Sequence, residues 1–321
     1  MEPELGVATA APLGPGAPVV AIDVGGTTIK AAALTSDGRL SEPLRVPTPV
    51  RGPDSAERVL DVVGQLVGEL SATPADAPRA VGLALPGIFD DETGVGHWSE
   101  NLGWKGVDFS ALTARRFALP VALRHDVRAA AYAERRLGAA RDAATALVVL
   151  IGTGVSAALF IGETTHVARG YAGEIGHAVV VPGGEKCLCG NRGCLEATAS
   201  AAAVVRRYER LTGAVVPGAS AVLALADSGD TAAGQIWESA LDALAFGLAH
   251  AISLVAPDVI VLGGGVAEAG DTLIRPLQAR LEELVRIQPV PRLTRAHFGQ
   301  DAGLYGSALA ARDLLGSEAG A

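Results

Sequence analysis

All three cysteines of this 321-residue chain fall in one short stretch, "CLCGNRGCLE", as Cys187, Cys189 and Cys194. Their spacing is C-x-C-x4-C, and His177 stands ten residues before the first of them. Three thiolates and one imidazole complete a tetrahedral zinc site. An odd number of cysteines in one cluster does not make a disulfide framework. A redox dithiol would favour C-x-x-C, a spacing the chain lacks. A closed Cys₃His shell leaves no position for water or substrate, so the zinc reads as structural.

What such an ion fixes follows from its flanks. Glu174 lies in "GEIGH" and Glu196 in "CLE", so a zinc loop over 177–196 brings Glu174, His177 and Glu196 toward one point. An imidazole that binds metal through one nitrogen keeps the other for a ligand. Carboxylates with an imidazole in a cleft suit the several hydroxyls of a sugar.

A second chemistry sits in three glycine turns: Gly25-Gly26-Thr27-Thr28, Gly152-Thr153-Gly154 and Gly263-Gly264-Gly265. Backbone without Cβ atoms lets N–H groups approach phosphate oxygens, and the threonines add donors. One such turn is an ordinary hairpin. Three, each after an apolar strand, point to a nucleotide. No G-x-x-x-x-G-K-[ST] run occurs. "GTGVSA" fits the loose dinucleotide pattern, but Val155 to Ile161 read as a strand where that pattern needs a helix. A Rossmann oxidoreductase is therefore the weaker reading. Asp23, just before the first turn, is placed either to hold a water of Mg²⁺ or simply to form the turn.

These groups need elements to carry them. Val19–Asp23 and Ile29–Leu34 read as strands around the first turn, and 53–71 has helical spacing. "AVGLALPG" at 80–87 is a buried strand, "VALRHD" ends another, and "VRAAAYAERRLG" is a helix closed by Gly138. The phrase of strand, glycine turn and strand returns at 145–162. Helices fill about 198–256, "DVIVLGGGVA" adds a strand, and a last helix runs over 303–315. Its Gly303, Gly306 and Ala310 leave a face small enough for close packing. The expectation is an α/β protein of two similar halves, their glycine turns opposed across a cleft.

Composition narrows the class. With 49% hydrophobic, 19% charged and only 4% aromatic residues, the chain is globular, its core built of Ala, Val and Leu. A net charge of −9 disfavours the basic footprint that nucleic acid requires. No uninterrupted apolar run reaches the roughly 18 residues of a membrane span. Residues 1–18, rich in Pro, Gly and Ala, lack the features of a signal peptide and read as a mobile leader. The expected compartment is the cytoplasm, where thiols stay reduced.

From about Val19 to Leu315 the residues resemble the ROK family of bacterial sugar kinases and sugar-responsive repressors. "DVGGTTIK", which includes Lys30, is similar to the family's first phosphate motif and "GTGVSAALFIG" to its second. "AGEIGH" with "CLCGNRGCLE" resembles its zinc and sugar motif, and "VIVLGGGV" its adenosine-side turn. The resemblance implies a two-domain actin-like ATPase (ribonuclease-H-like) fold, with ATP and sugar in the cleft. Residues 19–125, joined by the C-terminal helix 303–321, would form one domain and 126–302 the other.

The resemblance further implies sugar contacts from Asn101, Glu174, His177 and Glu196. Asp126 would be the base that takes the proton of the 6-hydroxyl of glucose or an N-acetylhexosamine as it attacks the γ-phosphate. ATP and Mg²⁺ are the implied cofactors, and a homodimer or homotetramer the implied assembly. One departure stands out. The family usually shows Asn-Asp-Ala-Asn where this chain has His125-Asp126-Val127-Arg128. The base is kept and its neighbour changed, so His125 is expected to alter which sugar is held. The rival within the family is a sugar-sensing repressor, which carries a DNA-binding domain ahead of the sugar module. Here about 18 residues precede the first strand.

Overall fold

The computed structural model describes residues 13–71 and 77–318. The chain divides into two compact units. One holds the residues up to Ala130 together with those from Gly303, and the other is Ala131–Ala302. The division falls inside a helix that starts at Asp126, a few residues beyond the break expected after His125.

In the first unit, β1 (Val19–Val24) and β2 (Thr28–Leu34) form an antiparallel hairpin with Asp23 opposite Lys30. β3 (Leu44–Pro47) adds to β2, followed by α1 (Ser55–Leu70). β4 (Val81–Leu85) pairs parallel to β1, so β1 is covered on both sides and reads as a nearly unbroken apolar run. Val59, Leu60, Val63 and Leu66 of α1 are buried against this sheet's core.

A small antiparallel sheet follows, of β5 (Ile88–Asp90), β6 (Val95–Trp98) and β7 (Lys105–Asp108). No sequence signal marks it. Its strands are three or four residues long, and it is held by buried Phe89, Trp104 and Phe109, the last two in edge contact at 5.0 Å. The Asp108 side chain accepts from Ala111 N to cap α2 (Phe109–Arg116). β8 (Val121–His125) then completes a sheet of order β3-β2-β1-β4-β8, and α3 (Asp126–Leu137) leaves its end.

The second unit repeats the plan. β9 (Thr145–Ile151) and β10 (Val155–Ile161) form the hairpin, and β11 (Thr164–Thr165) extends it. Four helices follow: α4 (Leu195–Ala199), α5 (Ala201–Thr212), α6 (Ala219–Asp227) and α7 (Thr231–Val255). β12 (Val259–Gly263) pairs parallel to β9. After α8 (Asp271–Leu284), β13 (Arg292–Arg295) pairs parallel to β12. The order β11-β10-β9-β12-β13 matches the first sheet strand for strand. One topology is used twice, as the recurring sequence phrase implies.

α7 has the length and hydropathy of a membrane span. Ile236, Trp237, Leu241, Leu244 and Leu248 on one face are buried in the core of this unit, while Phe246 and Leu254 are exposed. Glu238 and Asp242 on its other face pair with Arg280 of α8.

The last helix, α9 (Ala302–Glu318), returns to the first unit, where Leu304, Ala308 and Ala311 pack beneath β1 and β2. The small face expected from Gly306 is used to its limit: a Cβ there would fall 1.7 Å from the Ala129 carbonyl oxygen. Gly306→Ala is expected to destabilise the protein by about 1–3 kcal/mol or more, the cost of overpacking a close contact. A thermal melt against wild type checks this. Residues 13–18, expected within the leader, are held in place. Leu13 N and Gly16 N donate to Gly38 and Ser36, both at 2.9 Å. Arg312 of α9 donates to the Gly14 and Ala17 carbonyls at 2.7 and 2.9 Å. An arginine fork satisfies what would otherwise be a loose strand of carbonyls. The leader's earlier part, 1–12, lies outside the described residues.

Candidate active site

In the first unit, the β1–β2 hairpin presents Gly25 to Thr28 as its turn. Gly25 N donates to Thr28 O at 3.0 Å, and Thr48 braces the outside by donating its hydroxyl to Gly25 O at 2.8 Å. Gly26 and Thr27 are exposed, and the Thr27 carbonyl is held by Thr48 N at 3.0 Å. Asp23 is half-buried, its carboxylate set against Gly303 at the start of α9. Asn101, expected at the sugar, lies beside this turn: a Cβ on Gly26 would sit 3.3 Å from its amide nitrogen.

His125 and Asp126 occupy the junction of β8 and α3. The Asp126 side chain is 29% exposed and that of His125 only 5%. His125 Nε2 lies 3.1 Å from Asp126 Oδ1, and the same oxygen accepts from Val127 N at 2.7 Å. Burial, and secondly the Arg128 guanidinium, push His125 well below the usual imidazole range, with the Gly87 backbone acting weakly the other way. The ring is therefore neutral. A carboxylate is a better acceptor than a carbonyl, so its proton belongs on Nε2, facing Asp126.

In the second unit, Gly152-Thr153-Gly154 joins β9 to β10 and closes with Gly152 N donating to Gly154 O at 2.9 Å. Glu196 on α4 sits against this turn, where its Oε2 accepts from Val155 N at 2.9 Å. The third turn follows β12 at the same end of the sheet, and Gly264 is close enough to β9 that a Cβ would meet Ile151 O at 2.6 Å. Next to it is a cavity of about 250 Å³. Gly265, Val266 and Thr272 line one side, and Ala219, Leu223 and Asp227 of α6 the other. The glycines mark the turn in the sequence, and the α6 side carries no such signal. No periodicity marks small residues as a pocket wall.

The four residues expected to hold zinc converge. The ligand atoms of His177, Cys187, Cys189 and Cys194 all lie within 4.8 Å of one another. Cys189 and Cys194 sulfurs are 3.6 Å apart, as are Cys187 Sγ and His177 Nδ1. Zn–S bonds of about 2.3 Å imply tetrahedral edges of roughly 3.8 Å, so the set is sized for zinc. Burial first, then the neighbouring thiols, push Cys194 up to about 12, so three clustered thiolates require a cation among them. Gly193 makes the approach possible: its φ is +80°, and a Cβ would fall 1.7 Å from Val181 O. With Nδ1 toward the thiols, His177 turns Nε2 toward Glu174 Oε2 at 3.8 Å.

The strand order, the paired glycine turns and the Cys₃His loop can be set beside known proteins. Residues 19–313 match the ROK family. The chain belongs to the ROK family. A glucokinase of Halalkalibacterium halodurans is 32% identical over 89% of this chain and 92% of its own length. An N-acetylmannosamine kinase of Yersinia pestis is 34% identical over 92% of this chain and 99% of its own. Among solved structures, a ROK family glucokinase from Streptomyces griseus, in complex with glucose and AMPPNP, superposes with a TM-score of 0.80 at 29% identity, covering 92% and 99% of the two chains. The fold of this ROK protein is thus that of the actin-like ATPase family, as the sequence motifs imply.

Proposed function

We propose that this chain is an ATP-dependent sugar kinase that transfers the γ-phosphate to the 6-hydroxyl of a hexose, with Asp126 as general base. The observation that carries this reading is the Asp126 carboxylate, partly exposed at the end of β8, with Oδ1 fixed by two donors. Its unit also presents the exposed Gly26-Thr27 turn. The glucokinase and N-acetylmannosamine kinase relatives support the same reading.

The parts divide as follows. Gly25, Gly26, Thr27, Thr28 and Lys30 in the first unit, with Gly152, Thr153 and Gly154 in the second, would hold the phosphates. Asp23 would hold Mg²⁺, which neutralises phosphate charge when bound. Gly263, Gly264 and Gly265 would pass the nucleoside to the neighbouring cavity, where Asp227 offers an acceptor to the exocyclic amine of adenine. Asn101 and Glu174 would bind sugar hydroxyls, as would Nε2 of His177 and the Glu196 oxygen not bonded to Val155 N. The Cys₃His set would hold structural zinc. In phosphoryl transfer such positioning and charge stabilisation supply most of the rate.

A coupled ADP-release assay over glucose, N-acetylglucosamine and N-acetylmannosamine tests the reading. At least one sugar is expected to give turnover above the rate of ATP hydrolysis alone. Phosphorylation of none would sink the kinase reading and leave the sugar-sensing role of the family's repressors.

A further inference from the structure

We propose that His125 is a positioning residue for this transfer, holding the Asp126 carboxylate through Nε2–H while a buried Arg128–Asp91 pair holds His125 itself. This rests on the reading of Asp126 as base and adds how this chain aims it.

Two donors to Asp126, the His125 ring and Val127 N, meet the same oxygen, Oδ1. Two donors from different directions on one oxygen fix the plane of the carboxylate. A base that must meet one hydroxyl gains from such restraint, since a misplacement of about 1 Å can cost on the order of a hundredfold. The ring is too deeply covered to be a sugar ligand in its own right. Its effect must pass through Asp126.

A further departure from the family pattern, Arg128, supports the one at His125. Arg128 is 1% exposed, and its Nε and Nη2 donate to the two oxygens of Asp91 at 2.9 and 3.0 Å. Nη2 also donates to Phe89 O. Asp91 Oδ1 in turn accepts from His125 N at 2.7 Å. One carboxylate therefore ties the guanidinium of residue 128 to the backbone of residue 125. A buried arginine left unpaired is costly, so Asp91 and Arg128 belong together, and they fix the point from which the His125 ring reaches Asp126. The guanidinium also favours the neutral ring, which can donate to the base without adding a positive charge beside it.

The test compares His125→Ala, His125→Asn and His125→Gln in steady-state kinetics with glucose and N-acetylmannosamine, beside Asp126→Asn and a thermal melt of each. A glutamine amide nitrogen reaches the place of Nε2, whereas that of asparagine takes the place of Nδ1 and falls short. His125→Ala and His125→Asn are expected to lose about 10–100-fold in kcat with sugar KM within about threefold. His125→Gln should recover most of the loss. A merely structural role would lower stability without separating glutamine from asparagine. Should the alanine variant not fold, the glutamine–asparagine pair alone decides. The inference is overturned if kcat of His125→Asn stays within about threefold of wild type, or if His125→Gln is as slow as His125→Asn. If Asp126→Asn is inactive while the His125 variants are normal, only this inference fails. If Asp126→Asn itself turns over freely, the base assignment fails, and the inference falls with it.

Discussion

Asp126→Asn will keep sugar and nucleotide binding while kcat falls by about 10²–10⁴-fold, the scale for losing a general base. The substitution is close to isosteric. An asparagine carbonyl in the place of Oδ1 still accepts from Val127 N and from His125 Nε2, so the β8–α3 junction keeps its shape. What disappears is the capacity to take a proton from the attacking hydroxyl. Sugar KM should therefore change little, and the loss should appear equally in kcat and kcat/KM, as for an interaction made only in the transition state. The competing account makes Asp126 a helix cap. Its bond to the very next amide is not the reach of an N-cap to the second or third helical amide, and Ala129 offers no reciprocal side chain. Turnover within a few-fold of wild type would nonetheless establish that account and remove the base from the mechanism.

Why some of this was legible in the sequence and some was not has a physical basis. β1, β4, β9 and β12 have sheet neighbours on both sides, so each appears as a short apolar run, and the glycine turns that end β1, β9 and β12 stand out against them. The zinc set is legible because metal coordination fixes residue type, and all but His177 fall in one loop. The sheet of β5, β6 and β7 is not. Its strands are short, β7 is largely exposed, and the order comes from Phe89, Trp104 and Phe109 meeting in three dimensions. His125 was legible as a departure but not in its role. Asp91, which sets its backbone, is 34 residues away and belongs to no recognisable motif. A side chain at a strand end can turn to solvent or to the core, and only the fold decides. Here it turns inward, and His125, expected at the sugar, lies against Asp126, the proposed base.

If the Cys₃His set holds the structural zinc proposed for it, removing that ion is expected to abolish the proposed transfer through loss of structure. The purified protein should carry about one zinc per chain under reducing conditions, and Cys189→Ala should lose it, as metal analysis of both would show. His177 closes a short 3₁₀ turn whose preceding residue is Glu174, and Cys194 immediately precedes α4, which carries Glu196. Leu195 N donates to Ala178 O at 2.9 Å, and Val179 bridges to Cys194, so the two segments are stitched together directly behind the ligands. Structural zinc contributes on the order of 10 kcal/mol of apparent binding free energy in small domains, far more than those few hydrogen bonds. Without it Glu174 and Glu196 lose their fixed relation, and Val155 N loses the carboxylate that braces the second glycine turn. Because burial and its neighbours place the Cys194 thiol near 12, zinc uptake must displace protons, and affinity should fall as pH falls. Cobalt, which accepts the same tetrahedral ligands, should restore transfer to near the zinc level. A cobalt protein that is well folded and loaded but inactive would give the metal a chemical role, against the closed-shell reading.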